Sequence, residues 1–254
     1  MIIIIPTYNE SVVIEETIHQ VMAVTDALTG YQIEVLIFDS ASTDETQLKV
    51  RALSQVYKDK LHLQTEPVKT GLGSAYRQAM AYALHHLKAD IVIEFDADLS
   101  HQPKYFKSFL HQLKTCDVVV GSRYIKGGSI PGDWGLHRKL LSVLGNYVAR
   151  MILTKKYKDL TSGFRATRRD ALIKALPAQF LSNQYAYKLH LLWALHQSKA
   201  VIREVPIDFI DREKGVSKLP ANSIIDSLRV ILILRFHKVR AQGGVLIKKF
   251  LTPF

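Results

Sequence analysis

Residues 91–103 read Ile91-Val92-Ile93-Glu94-Phe95-Asp96-Ala97-Asp98-Leu99-Ser100-His101-Gln102-Pro103. A β-branched apolar run ends, and two aspartates one residue apart follow at once. In extended geometry that spacing puts both carboxylates on the same side of the chain. Like charges so close repel unless water, a cation or arginines compensate. Oxygen donors in this pattern suit a hard divalent cation, Mg2+ or Mn2+, that completes its shell with waters and phosphate oxygens. Acidic pairs are common on protein surfaces, so the D-x-D carries weight only through its place at the end of a buried strand and through what surrounds it.

Working outward, further apolar runs at Ile2–Ile5, Ile33–Phe38, Leu61–Thr65 and Val118–Val120 alternate with segments of helical period at Val12–Leu28, Asp44–Val56, Ser74–His86 and Lys104–Leu113. This alternation predicts an α/β fold with a Rossmann-like, mainly parallel sheet flanked by helices. Right-handed crossovers then bring ligands to the carboxyl ends of the strands. The polar clusters Pro6–Glu10, Asp39–Asp44 and Asp96–Ser100 fall at those ends. Ser42-Thr43-Asp44-Glu45 has the form of a capping box for the second helix. In the second half the pattern predicts helices at Arg138–Ile152, Arg169–Leu176, Ala186–His196 and Ser223–Phe236, and a strand over Val201–Ile210. Gly127-Gly128-Ser129-Ile130-Pro131-Gly132 reads as a loop, either a mobile lid or a long turn.

The chain has 254 residues, with 34 Lys+Arg against 23 Asp+Glu and a formal net charge of +11. That balance predicts attraction to something anionic: a nucleotide, a lipid surface or nucleic acid. The basic residues are scattered and no nucleic-acid module is recognisable, so no nucleic acid is expected. One cysteine, Cys116, excludes an internal disulfide and suits a reducing compartment. No stretch approaches the roughly 20 apolar residues that cross a bilayer, and Val230–Leu234 is flanked by Arg229 and Arg235. Ile224, Ile225, Leu228, Ile231, Leu232 and Phe236 recur near helical spacing beside basic residues. They predict either an amphipathic helix at an anionic membrane interface or a core-packing helix. We therefore expect a catalytic domain over 1–222 and a C-terminal helix with a basic tail over 223–254, cytoplasmic and peripheral to the membrane.

The motifs occur together in an order that resembles family-two glycosyltransferases of the A-type fold, and within them polyprenyl-phosphate (dolichol-phosphate) mannosyltransferases. They are PTYNE at Pro6–Glu10, DSASTDET at Asp39–Thr46, GLGSAYR at Gly71–Arg77, DADLSHQP at Asp96–Pro103, GSRY at Gly121–Tyr124, RKLLS at Arg138–Ser142, TSGFRA at Thr161–Ala166 and DREKGVSK at Asp211–Lys218. The resemblance implies transfer of mannose from GDP-mannose to a polyprenyl phosphate with inversion. Pro6, Tyr8, Glu10 and Asp39 would hold the guanosine. Asp96, Ala97 and Asp98 would engage the donor, with Asp96, Asp98 and Ser100 near the Mg2+ or Mn2+. Arg212 and Lys218 would face the diphosphate, and Arg123, Arg138 and Ser142 would receive the lipid phosphate. An acceptor phosphate needs positioning more than a general base, so Asp98, Arg123 and Arg138 are the expected catalytic residues.

The chain departs from the family pattern at Ser40, Glu45, Gln102 and His190, the last standing where relatives show a glutamate. His190 is either a satisfied core histidine or a mark of altered substrate preference. The Q-x-x-R-W string of processive synthases is absent, which favours single-sugar transfer. The competing readings are a related transferase using UDP-glucose, an inactive membrane-associated relative and a nucleic-acid binder. Whether a membrane-protein subunit presents the lipid is left open.

Overall fold

Ile2, Ile3, Ile4 and Ile5 are all buried, but they divide between two cores, Ile2 and Ile4 on one face of the sheet and Ile3 and Ile5 on the other. A strand covered on both faces needs apolar residues at every position, which is why it reads as a continuous run. The computed structural model describes residues 1–132, 134–211 and 222–250, with side chains to 236 in the last segment.

The first part is regular: β1 (Ile2–Thr7), α1 (Ile14–Asp26), β2 (Glu34–Asp39), α2 (Thr46–Val56), β3 (Leu61–Thr65), α3 (Leu72–His85) and β4 (Ile91–Glu94). A single 3-10 turn, Pro103–Tyr105, leads into α4 (Phe106–Gln112), followed by β5 (Val118–Ser122) and α5 (Leu136–Ile152). Then come β6 (Arg165–Arg168), α6 (Arg169–Ala175), α7 (Tyr187–Gln197), β7 (Ile202–Pro206) and α8 (Ser223–Phe250).

The seven strands lie in the order β3-β2-β1-β4-β6-β5-β7. All neighbours are parallel except β6, which runs antiparallel to both β4 and β5. The predicted α/β architecture therefore holds, with one strand the sequence reading did not contain. The predicted strand over Val201–Ile210 is shorter, and its last part becomes a single bridge between Ser129 and Asp208.

The predicted capping box does not form. Ser42 turns its hydroxyl to Asp39 (2.5 Å), while Asp44 receives the Thr46 amide at 3.0 Å and the Ser11 amide at 3.1 Å. Asp44, one residue before the N-cap Glu45, thus ties the start of α2 to the loop after β1. Burial opposes its charge, but the donors from Thr46 and Ser11 prevail and hold its pKa at about 2.

The C-terminal helix packs on the core along one side only. Val230, Ile231 and Leu234 are buried in the core, whereas Ile224, Ile225, Leu228, Leu232 and Phe236 are exposed. Among the described residues no helix is long and apolar enough to cross a membrane.

Candidate active site

The loops after β1, β2 and β4 lie together at the carboxyl ends of these parallel strands. Three residues in them take left-handed backbone conformations without being glycine: Asn9 (φ 54°), Ala41 (φ 57°) and Leu99 (φ 57°). Such a conformation costs roughly 1–2 kcal/mol per residue, and it is kept where surrounding bonds over-determine the turn. Those bonds are present. Asn9 donates its amide to Ser42 Oγ (2.8 Å) and accepts from the Thr43 amide (2.8 Å), and Glu10 donates to Thr46 Oγ1 (2.9 Å).

Asp39 lies fully buried beneath these loops. Its carboxylate accepts from Thr7 Oγ1 (2.8 Å), the Ser42 amide (2.9 Å), Ser42 Oγ (2.5 Å) and Gln47 Nε2 (2.7 Å). Four donors fill the accepting positions of a carboxylate. A contact from Asp39 to a nucleoside would have to displace one, and Gln47, at the end of an adaptable side chain, is the one that can move. Pro6 and Glu10 flank the same loop, and the half-buried Tyr8 ring carries Lys69 Nζ 3.4 Å from its centroid.

The D-x-D follows β4 directly. Ala97 is buried, and its carbonyl accepts from Thr17 Oγ1 at 2.6 Å, which fixes the middle of the motif on α1. Asp98 Oδ1 accepts from the Ser100 amide (3.1 Å) and Ser100 Oγ (2.6 Å), a closed turn that places the serine hydroxyl against the carboxylate. Asp96 remains a quarter exposed, with His101 Nδ1 at 3.6 Å and Lys188 Nζ at 3.8 Å from its Oδ2. His101 is not an ion-pair partner. It is buried, its Nδ1 accepts from the Asp96 amide (3.3 Å), and burial lowers its pKa to about 4. The ring stacks on Phe164, with centroids 4.9 Å apart, as a neutral wall.

Below the motif sits a buried charge pair. Arg165 bonds Glu94 through Nε (2.6 Å) and Nη2 (2.8 Å), and Tyr187 adds its hydroxyl at 3.1 Å. Tyr76 stacks on Tyr187 and donates to the Phe95 carbonyl at 3.2 Å.

A second group comes from β5, α5 and the segment after β7. Arg123 grips the fully buried Asp159 through Nε (2.8 Å) and Nη2 (2.9 Å), and bonds Thr161 Oγ1 at 2.7 Å. Burial disfavours its charge, but the adjacent carboxylate outweighs this and pushes the pKa up. Among the described residues its Nη1 meets no acceptor. Next to it Tyr124 bonds Ser142 Oγ at 2.7 Å. Arg138 is held bidentate by Asp211 (2.7 and 3.1 Å) and packs 4.0 Å over Trp134. Phe209 stands between the groups, near His101, Arg123 and Trp134. The Gly127–Gly132 loop is no free lid at its centre: Ser129 pairs with the segment after β7, and its hydroxyl bonds Asp208 (2.8 Å).

Residues 2–176 match the family described as Glycosyl transferase family 2. The chain is a family 2 glycosyltransferase. It is 31% identical over 96% of its length to the polyprenol monophosphomannose synthase of Mycolicibacterium smegmatis, 91% of which is covered. It is 33% identical over 95% of its length to the undecaprenyl-phosphate mannosyltransferase of Micrococcus luteus, with 98% of that protein covered. Among solved structures, glucosyl-3-phosphoglycerate synthase of Mycobacterium tuberculosis, in complex with Mn2+, UDP-glucose and phosphoglyceric acid, superposes with a TM-score of 0.64 at 20% identity. That likeness covers 92% of this chain and 79% of the other, and establishes the A-type glycosyltransferase fold.

In this glycosyltransferase the predicted residues thus fall into two neighbouring clusters, Pro6, Tyr8, Glu10, Asp39, Asp96, Ala97, Asp98 and Ser100 in one, Arg123, Arg138 and Ser142 in the other. Arg212 and Lys218 lie outside the described residues. Sequence reasoning missed Lys69, Asp159, Lys188, Asp208 and Phe209, whose parts depend on contacts distant in the chain. His190 accepts the Leu181 amide at 3.1 Å and packs edge-on against Phe180. Among the described residues no group of three or more His, Cys, Asp or Glu could hold a metal alone. Two carboxylates beside a hydroxyl fit a Mg2+ or Mn2+ site of the open kind, completed by waters and a substrate diphosphate.

Proposed function

We propose that this glycosyltransferase moves mannose from GDP-mannose to a polyprenyl phosphate, with inversion at the anomeric carbon. The observation that carries the acceptor reading is α5. Arg138 and Ser142 sit on the same helix as an exposed stripe, Leu136, Leu140, Leu144, Tyr147 and Met151, while Asn146 and Ala149 face the body of the protein. A phosphate-binding pair beside an unburied apolar stripe is what a phosphorylated isoprenoid at a membrane surface requires. The names of the two curated relatives support the same acceptor class and the mannosyl group.

Pro6, Tyr8, Glu10 and Asp39 hold the guanosine, and Asp96, Ala97 and Asp98 the sugar diphosphate. Asp96, Asp98 and Ser100 would hold a divalent cation, which would supply positive charge against the departing GDP. Arg212 and Lys218 add fixed charge at the diphosphate. Arg123 presents Nη1 to the acceptor phosphate while Asp159 fixes its plane, and Arg138 exchanges Asp211 for phosphate. An acceptor phosphate oxygen, already anionic, forms the new bond to the anomeric carbon as the bond to the diphosphate breaks. No proton need be removed from it. Peripheral attachment to the cytoplasmic leaflet, through α5, α8 and the net positive charge, brings the enzyme to its lipid.

The test is single-turnover transfer of labelled sugar to a short polyprenyl phosphate, with GDP-mannose and UDP-glucose offered in parallel, with and without Mn2+, beside Asp98→Ala. Metal-dependent mannosyl-lipid lost in the variant is the expected result. Glucosyl-lipid would replace the donor assignment, and no product from either donor would reject the reaction.

A further inference from the structure

Lys188, near the start of α7, is about nine-tenths buried. Lysines at that depth need an acidic partner. Its Nζ lies 3.8 Å from Asp96 Oδ2, a charge pair longer than a hydrogen bond. The side chain occupies space left by Gly163, where an added Cβ would stand 2.2 Å from Nζ and 2.5 Å from Cε. Its mount is rigid, because the Lys188 carbonyl accepts from Arg165 Nη1 (3.4 Å) and Arg165 is clamped by Glu94. The neutral His101 ring lies in the field of Asp96, Lys188, Asp98 and Arg123, two charges of each sign. The D-x-D thus already has a cation built into the chain.

We propose that Lys188 is a resident counter-cation of Asp96, so that a divalent cation must displace its ammonium and binds tightly only when the donor's diphosphate brings further negative charge. The inference rests on the donor-site reading of Asp96 and Asp98. Lysine is suited to this because its charge rides on a flexible stem that can leave Asp96. An opposite charge within ~4–6 Å changes a carboxylate's affinity for a proton by about one to three powers of ten, and the same competition acts on Mn2+.

The experiment follows free Mn2+ by electron paramagnetic resonance during titration of the full chain, with and without GDP. It compares wild type with Lys188→Met, Lys188→Arg, Gly163→Ala and Asp98→Ala. Without GDP, Lys188→Met is expected to bind Mn2+ about tenfold more tightly than wild type, while Lys188→Arg stays near wild type. The gain in Mn2+ affinity on adding GDP should be smaller in Lys188→Met, since the competitor that GDP helps overcome is gone. Gly163→Ala, whose new methyl meets the movable end of Lys188, should shift Mn2+ affinity in the same direction and serves alone if Lys188→Met does not fold. Equal Mn2+ affinity in wild type, Lys188→Met and Gly163→Ala, with binding lost in Asp98→Ala, would overturn the inference and leave the donor site standing. Mn2+ binding absent from wild type even with GDP, or unaffected by Asp98→Ala, would overturn both.

Discussion

Arg123 keeps its charge inside the protein by holding Asp159, and this pairing makes both residues testable. The aspartate is fully buried; burial works against its charge, but Arg123 and Thr161 hold its pKa below the usual carboxylate range. Removing one member of a buried pair costs about 3–5 kcal/mol, since the other charge is stranded. Asp159→Asn is expected to lose about that much in urea unfolding at pH 7 and to raise the KM for polyprenyl phosphate. The pH dependence has a definite sign. A carboxyl with depressed pKa stabilises the fold above its unfolded value of about 3.9, and the contribution disappears as pH falls through the folded value. Wild type should therefore lose stability below about pH 4 more steeply than Asp159→Asn, and parallel acid-unfolding curves would discount the pair. Arg138→Lys keeps the charge but loses the fork; it should raise acceptor KM about tenfold with donor KM unchanged, which steady-state kinetics with each substrate varied would reveal. Arg123, Arg138 and Ser142 could be singled out because each sits in a short motif, and the fold brings those motifs together. Asp159 was not, because its meaning lies in an arginine 36 positions away.

At the scale of elements, β1, β2 and β4 could be read directly, since strands covered on both faces are continuous apolar runs. β6 could not. Arg165-Ala166-Thr167-Arg168 holds two arginines in a four-residue strand and resembles a loop. It becomes a central strand because Arg165 stands directly opposite Glu94 in the antiparallel ladder, so each buried charge supplies the other's partner. The capping-box expectation failed for a local reason: Asp39, three residues earlier at the end of β2, takes the Ser42 hydroxyl. Glu94→Gln should destabilise the protein by about 3–5 kcal/mol in chemical unfolding. Glu94→Leu combined with Arg165→Met should recover most of that loss, because an apolar pair of similar volume avoids the desolvation cost. If the double variant were as unstable as Glu94→Gln, the strand would depend on the charge pair for register.

For the whole molecule the two clusters, the apolar stripe and the charge have to act at one surface. On the proposed function, the net charge of +11 would give long-range attraction to an anionic leaflet, screened beyond about 10 Å at 0.1 M salt. Attraction of that kind brings the protein near but does not insert it. On the proposed function, insertion would fall to α5, where Leu136 is 85% and Leu140 64% exposed, and to Ile225 and Phe236 of α8, 68% and 63% exposed. These side chains have little packing to lose, so Leu136→Gln/Leu140→Gln/Leu144→Gln should change folding stability by about 1 kcal/mol in all. In water-to-membrane transfer each leucine contributes up to about 1.5–3 kcal/mol. The triple variant should therefore partition at least about tenfold less to anionic vesicles in sedimentation assays, at both low and moderate salt. Salt alone should weaken binding of both proteins, because it acts on the shared charge. Turnover on vesicle-embedded polyprenyl phosphate should fall with partitioning, while turnover on a short, water-dispersed acceptor should not, since Arg123, Arg138 and Ser142 are untouched. Equal partitioning of variant and wild type would mean that charge alone docks the protein, and the apolar stripe of α5 would then need another occupant.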